Sequence, residues 1–469
     1  MNLPAQDKLF QQDFEWSVFE ERRSRVVDSI GPGSIVLLQG GFAEPAFRQF
    51  RQTNEFYYLT GLEIPHAYLL LNGATSTLYI PHRDESKERS EGKKLAAEDA
   101  GFIIETTGID RVYGLEMLSK HLSRRAIAYP VPDLYTLFSP GEGPQVSRDV
   151  ALVGEAQIYA DPWSGVSSSQ TGRFIGLIES RFPQFTIHDL SPILDNMRII
   201  KGPQEIELIR KASRIAGVAL MDAMKSTNPG IYEYQLEAVA DFHYKMSDSD
   251  EGYSAIVGGG QNAWHGHYFK NQDPLKSGDL VLMDYAPDYR YYTSDLARIW
   301  PVNGEFSPAQ KELYSVIVAY HKELLPRIRS GVTKYQILEE TSRAMRPVIE
   351  KMTFSKPIYR KAAEGILESG AALSHPVGMS VHDVGEYQRY KLQPGMVFSV
   401  DPMIWVPEEK LYIRAEDTGV VTESGFDNFS GFLPLEIADI ESLMRKKGII
   451  QMIDSEYSPL ELDSPRFTE

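Results

Sequence analysis

Two short segments of the chain run the same way into a carboxylate. Gly278-Asp279-Leu280-Val281-Leu282-Met283-Asp284 and Gly395-Met396-Val397-Phe398-Ser399-Val400-Asp401 both pass from a Gly through apolar residues to an Asp. Each is followed by a turn and a second acid, Asp295 in the first case and Glu416 in the second. A hairpin centred between Tyr289 and Arg290 sets Asp284 directly against Asp295, and one centred between Glu408 and Glu409 sets Asp401 against Glu416. Directly opposed residues share a face, with Cβ atoms about 5 Å apart, and like charges so placed repel. The neighbours Val281, Leu282, Met283, Phe398 and Val400 are apolar, which argues for buried strands. With no local Lys or Arg, such a cluster is best explained by divalent metal, and four carboxylates suit two ions sharing bridging oxygens. A solvated sheet edge is the plain alternative for any one of these acids. Duplication of the pair argues against it.

Histidines extend the set. His375 and His382 lie in Leu373-Ser374-His375-Pro376-Val377-Gly378-Met379-Ser380-Val381-His382-Asp383, where Gly378 can re-aim a chain that, if straight, would put the two rings on opposite faces. His265 and His267 come shortly before the first carboxylate strand. One imidazole could complete a mostly oxygen metal shell, and the others could polarise a carbonyl or hold an anion. An oxygen-rich donor set favours Mn, Co, Fe or Zn in a hydrolytic role, with Mg possible, over a purely structural zinc. The remaining His66, His82, His121, His188, His243 and His321 have no partner in sequence and read as structural or surface residues.

These residues need strands and helices to hold them. In the first 190 or so residues, Ser34 to Gln39, Phe56 to Leu59, Ala67 to Leu71 and Thr77 to Ile80 read as strands, and Phe19 to Ile30 and Leu115 to Leu122 as helices. That half is α/β and carries no catalytic constellation. A second unit opens near Met197. Gly202-Pro203 starts a helix with an apolar stripe (Ile206, Ile209, Ala212, Ile215, Ala219, Ala223) that ends near Asn228-Pro229-Gly230, and another begins at Tyr232. Ser307-Pro308 caps a helix reaching about Pro326, and a further one runs from Thr333 to about Met352. The stretch from Gly230 to Leu236 resembles that from Gly331 to Ile337, in the same order as the two carboxylate strands. Two matches in register indicate a duplicated α+β unit with a pseudo-twofold relation.

The whole chain of 469 residues is long enough for two large units or three small ones, and its 42% hydrophobic content can bury a sizeable core. Its 65 acids against 48 bases, a net charge of −17, argue against nucleic acid as a partner and suit a cationic ligand such as a free amino terminus or a metal. Absence of cysteine excludes disulfides, thiolate metal sites and a cysteine nucleophile. No apolar run approaches the roughly 20 residues of a membrane span, and the first residues are unlike a secretory signal, so a cytoplasmic protein is expected.

Taken in order, Asp284, Asp295, His375, Asp401 and Glu416 resemble the five-ligand set of the methionine aminopeptidase, aminopeptidase P and prolidase metallopeptidases. Phe47-Arg48-Gln49-Phe50-Arg51-Gln52-Thr53-Asn54-Glu55-Phe56-Tyr57-Tyr58-Leu59-Thr60-Gly61 is similar to the amino-terminal domain of aminopeptidase P. Met197-Arg198-Ile199-Ile200-Lys201 with Glu205-Ile206, and further on His267-Tyr268, Ser374-His375, Val381-His382-Asp383 and Arg414-Ala415-Glu416-Asp417, resemble catalytic-domain motifs. The resemblance implies an α+β fold: an α/β amino-terminal domain over 1–193 and a "pita-bread" domain over 194–469, two pseudo-symmetric halves around a curved antiparallel sheet. It implies a Xaa-Pro aminopeptidase acting on peptides with proline in second position, with prolidase or a weakened binding protein as the alternatives. Two divalent ions, manganese foremost, are implied. Asp284 and Asp295 would hold one, His375 and Asp401 the other, and Asp295 and Glu416 would bridge. His267 and His382 would contact the scissile carbonyl region, Asp401 would serve as base, and Arg414 would lie near the substrate. A homo-oligomer, dimer or tetramer, is also implied. Two departures stand out. The family has Glu where this chain has Asp401, and the Trp that bacterial relatives carry before a basic run is missing from Glu88-Arg89-Ser90-Glu91-Gly92-Lys93-Lys94.

Overall fold

A computed structural model describes residues 10–42 and 49–453. The chain divides into two compact units, Met1–Arg198 and Ile199–Glu469.

In the first unit six strands form one mixed sheet in the order β4-β3-β2-β1-β5-β6: β1 (Ile35–Gln39), β2 (Tyr68–Asn72), β3 (Thr75–Ile80), β4 (Arg111–Gly114), β5 (Leu134–Thr136) and β6 (Ile187–Asp189). The central strands are antiparallel and the outer pairs parallel. Helices Trp16–Ile30 and Glu116–Ala126 match the amphipathic stretches. Phe56 to Leu59, expected as a strand, is instead part of a helix, Asn54–Thr60. All seven of its residues are buried, so no polar face marks the period, and four apolar residues alone cannot distinguish the two structures. Gly61 ends the helix in a left-handed conformation (φ 67°), its N–H donating to the Tyr57 carbonyl.

The second unit repeats one plan, a pair of helices followed by antiparallel strands. Helix Pro203–Ser226 starts with proline in its first turn and with Glu205 accepting the Gly202 N–H at 2.8 Å. It is followed by helix Glu233–Met246, whose apolar face joins the same core. In the second half, helices Pro308–Leu324 and Lys334–Lys351 are capped by Ser307 and Thr333, each with a Gln three residues on. Strands β8 (Ile256–Gly259), β9 (Leu280–Asp284) and β11 (Ala297–Pro301) form a three-stranded sheet with β9 central. Strands β12 (Leu373–Pro376), β13 (Val397–Val400), β16 (Asp417–Val421) and β17 (Phe426–Asn428) form a four-stranded one. Two ribbons complete the set, β7 (Asp250–Glu251) with β10 (Pro287–Asp288) and β14 (Met403–Val406) with β15 (Leu411–Arg414).

The two sheets meet at one point. Glu416 N–H donates to the Ala297 carbonyl at 2.9 Å, and Ala297 N–H returns a bond to the Glu416 carbonyl. Arg298 reinforces the joint from below, donating to the Glu416 carbonyl at 2.7 Å and to Asp417 at 2.6 Å. His321 and Ser430 also bond Asp417. The Asp417 carboxyl is held far below the usual carboxylate range: burial opposes ionisation, but Arg298 and His321 outweigh it. Because Arg298 and Asp417 are both about 1% exposed, removing one partner strands the other in the interior. Asp417→Ala should therefore destabilise the protein by about 3–5 kcal/mol. Thermal unfolding should show the midpoint lowered by on the order of 10 °C, and an unchanged midpoint would rule out this joint as a principal brace.

Candidate active site

Both carboxylates of each pair stand on the two arms of one hairpin. In the second, Val400 pairs Asp417 and Met403 pairs Arg414, so the same register on either side sets Asp401 opposite Glu416, as expected. In the first, Asp284 pairs Ala297, not Asp295. The turn is centred one residue later, between Arg290 and Tyr291, which both take positive φ (56° and 71°) as a two-residue turn of the tightest hairpin type requires. Moving the centre by one residue moves the register by two, so Asp295 stays on the face of Asp284 and reaches it diagonally.

The cluster is deeply buried. Asp284, Asp295, Asp401 and Glu416 are 5%, 4%, 2% and 0% exposed. Tyr253, just before β8, donates its hydroxyl to Asp284 at 2.9 Å and to Asp295 at 3.2 Å. Burial and these carboxylates push its phenol well above the ordinary value, so it stays a donor. Ser399 donates to Glu416 at 2.7 Å, and Thr418 exchanges two hydrogen bonds with the Asp295 backbone. His375 directs Nε2 at Asp295, 3.2 Å away, while its Nδ1–H donates to the Pro376 carbonyl at 3.1 Å. That second bond fixes the ring and turns Nε2, which donates to Asp295 when protonated, to the side where it could ligate after losing that proton. His382 packs against His375, with ring centroids 4.2 Å apart, and His267 stands farther out, 6.5 Å from His382. His265 has no contact with this group among the described interactions.

Arg414 overturns one expectation. The acids are not without a local base, because the Arg414 fork lies among them. Its Nε and Nη2 grip both oxygens of Asp401 at 2.9 and 2.8 Å, Nη1 reaches Asp284 at 2.8 Å, and Nη2 also meets Glu416. Expected beside the substrate, the guanidinium is turned onto the carboxylates. Burial works against its charge, yet Asp401 and Glu416 hold it protonated. One guanidinium among four carboxylates still leaves the pocket strongly negative, and the carboxyl groups respond. Burial and the Asp295 charge push Asp284 up to about 7, and burial raises Asp401 and Glu416 as well. Asp295 alone is lowered: burial opposes ionisation there, but the His375 hydrogen bond and charge win.

Three donors are arranged as a metal would need them. Single ligand atoms of Asp295, His375 and Glu416 all lie within 4.8 Å of one another. Mixed carboxylate and imidazole donors, buried and short of positive charge, fit a divalent ion. Tyr253, Ser399 and Thr418 were invisible to reasoning from sequence, since a lone hydroxyl residue carries no spacing signal. Two aromatic residues of the β14–β15 ribbon also escaped it: Trp405 stacks on Tyr412 at 3.9 Å and meets Trp264, three residues before His267, edge-on at 4.9 Å.

Similarity to known proteins agrees with this arrangement. Residues 207–423 match the metallopeptidase family M24, and residues 19–131 match the aminopeptidase P amino-terminal domain. A Xaa-Pro aminopeptidase of Haemophilus influenzae is 31% identical over 95% of this chain and its own whole length. The chain belongs to the aminopeptidase P family. Among solved structures, proline aminopeptidase P II of Yersinia pestis superposes with a TM-score of 0.76 at 27% identity, covering 92% of this chain and 100% of that one. Aminopeptidase P of Escherichia coli with the inhibitor Pro-Leu gives 0.73 at 27% identity, covering 92% and 99%. The second unit is thus a pita-bread domain, and the protein is a metallo-aminopeptidase. No helix among the described residues is long and apolar enough to cross a membrane.

Raised carboxyl pKa values make metal uptake a proton-releasing event. A group such as Asp284, half protonated near pH 7, must lose its proton to ligate. Affinity for Mn²⁺ should therefore fall as pH drops from 8 to 6, by about tenfold per unit for each proton displaced. Calorimetric titration in buffers of different ionisation enthalpy reads the protons directly. A flat affinity over that range, without proton release, would contradict the raised values.

Proposed function

We propose that this chain hydrolyses the bond between an amino-terminal residue and a following proline, with Asp284, Asp295, His375, Asp401 and Glu416 holding two divalent ions. The observation that carries the reading is the convergence of Asp295, His375 and Glu416 in one buried pocket. Asp284 and Asp295 would hold one ion and His375 and Asp401 the other, with Asp295 and Glu416 available to both. The oxygen-rich donor set supports manganese. Exposed Val150, Val153 and Trp163 on the first unit support a homo-oligomer, dimer or tetramer.

When bound, the ions supply Lewis acidity for the scissile carbonyl and a water of lowered pKa. The chain's own groups do the rest. Asp401 takes the proton of the attacking water and passes it to the leaving proline nitrogen. His382, beside His375, and His267 at the rim orient the carbonyl and steady charge on its oxygen. Tyr253 keeps Asp284 and Asp295 turned to a common point, and Ser399 does so for Glu416. Arg414 holds Asp401 by both oxygens and would also serve as a donor near the substrate.

The test is a peptide assay on Mn-loaded protein with elemental analysis. Close to two ions per chain and cleavage of Xaa-Pro-Yaa at the Xaa–Pro bond are expected. Cleavage of Xaa-Pro dipeptides alone would make the protein a prolidase, and release of any first residue would defeat both readings.

Asp401 gives the sharper prediction. Its fit to the Arg414 fork supports a scaffold adjusted to the shorter side chain, so a longer Glu crowds the centre. Asp401→Glu should lower kcat by about tenfold to a hundredfold. Asp401→Ala should lower it by about a thousandfold, the range of a lost general base. Wild-type turnover in the Ala variant would remove Asp401 from the mechanism.

A further inference from the structure

Two sequence motifs that the chemistry above does not use meet in space. Lys201, three residues into the second unit, places Nζ 2.9 Å from an Asp383 oxygen, with the side chains only 2% and 1% exposed. Asp383 directly follows His382. A buried Lys–Asp pair adds little stability over an apolar pair of the same size, because desolvation offsets its attraction. What it does supply is direction. Two charges that must stay in contact fix the chain segments that carry them.

Both segments here lead into the active site. The loop from Pro376 to Asp383 is closed on itself by Asp383 N–H to the Pro376 carbonyl at 3.0 Å and by Gly378 N–H to the Ser380 carbonyl. It is tied to the first half by Thr293 N–H donating to the Gly378 carbonyl at 2.9 Å, two residues before Asp295. The ion pair lies flat against Gly378: a Cβ there would come within 2.2 Å of the Asp383 carboxylate and 2.9 Å of Lys201 Cε. Lys201 also acts through its backbone. Its N–H donates to the Gly395 carbonyl at 2.9 Å, fastening the turn that feeds β13 and so Asp401. One residue thus grips the loop of His382 with its side chain and the strand of Asp401 with its backbone.

We propose that Lys201 is a positioning residue that sets the His382 imidazole through Asp383. This rests on the role given to His382 above.

The experiment uses full-length, Mn-loaded protein and a Xaa-Pro-Yaa peptide. Lys201→Met should lower kcat by about a hundredfold, as expected of a group displaced by an ångström, with KM little changed and metal content intact. Lys201→Arg, which keeps the charge, should recover most of the rate. In a His382→Ala background, adding Lys201→Met should lower kcat no further, since both changes remove one function. Should Lys201→Met fail to fold, Lys201→Met/Asp383→Leu replaces the pair by apolar residues and should fold while keeping the kcat loss. Equal losses in both backgrounds, or wild-type kcat in the apolar double variant, would overturn the proposal. Wild-type kcat in His382→Ala itself would instead remove the role of His382, and the proposal with it.

Discussion

Four carboxylates face one another out of water, and most of the second unit is arranged around that repulsion. In water, solvation softens the repulsion of neighbouring like charges on a sheet. At 0–5% exposure they cannot all stay ionised without a cation. The protein meets the problem with one guanidinium, a phenol, a serine hydroxyl and an imidazole, all aimed inward. Their sum leaves a net negative pocket with raised carboxyl pKa values. Such a pocket favours a divalent ion, and Asp295, His375 and Glu416 already converge on one point within it.

Around this charged centre the packing is neutral and rigid. Arg298 with Asp417, and Lys201 with Asp383, are buried ion pairs that cancel internally. They stand immediately behind Glu416 and His382. A hydrophobic pair could fill the same space but would not hold two chain segments at a fixed contact as opposite charges do. The backbone bridge between Ala297 and Glu416, with Thr293 N–H on the Gly378 carbonyl, then ties the two halves directly to each other. Pseudo-symmetry brings two carboxylate strands together, and this joint sets their relative position.

Much of this was legible in the chain because side-chain direction along a strand has period two. The hairpin around Arg290 was centred one residue too early, yet Asp284 and Asp295 still landed on one face, since such an error moves the register by an even number. Capped helices were equally readable, because Ser307-Pro308 and Gly202-Pro203 announce themselves. Elements without a polar face were not: helix Asn54–Thr60 is buried all round and carries no period. Nor could sequence foresee Tyr253 or the inward turn of Arg414. Those depend on which groups a distant segment leaves unneutralised, a property of the assembled pocket and of no local pattern.

Asp401 shows how tightly these levels are joined. A carboxylate one methylene shorter than the Glu of the family pattern sits opposite Glu416. A side chain on the neighbouring strand holds it there. Arg414 lies diagonal to Asp401, and its planar fork takes both carboxylate oxygens, which a Lys could not do. The shorter acid thereby gains a fixed rotamer and a fixed oxygen plane, at the expense of freedom to swing toward a metal. Length, register and fork geometry act on one another. The consequence is that Asp401 and Arg414 function as a unit whose members cannot be exchanged separately without disturbing the other.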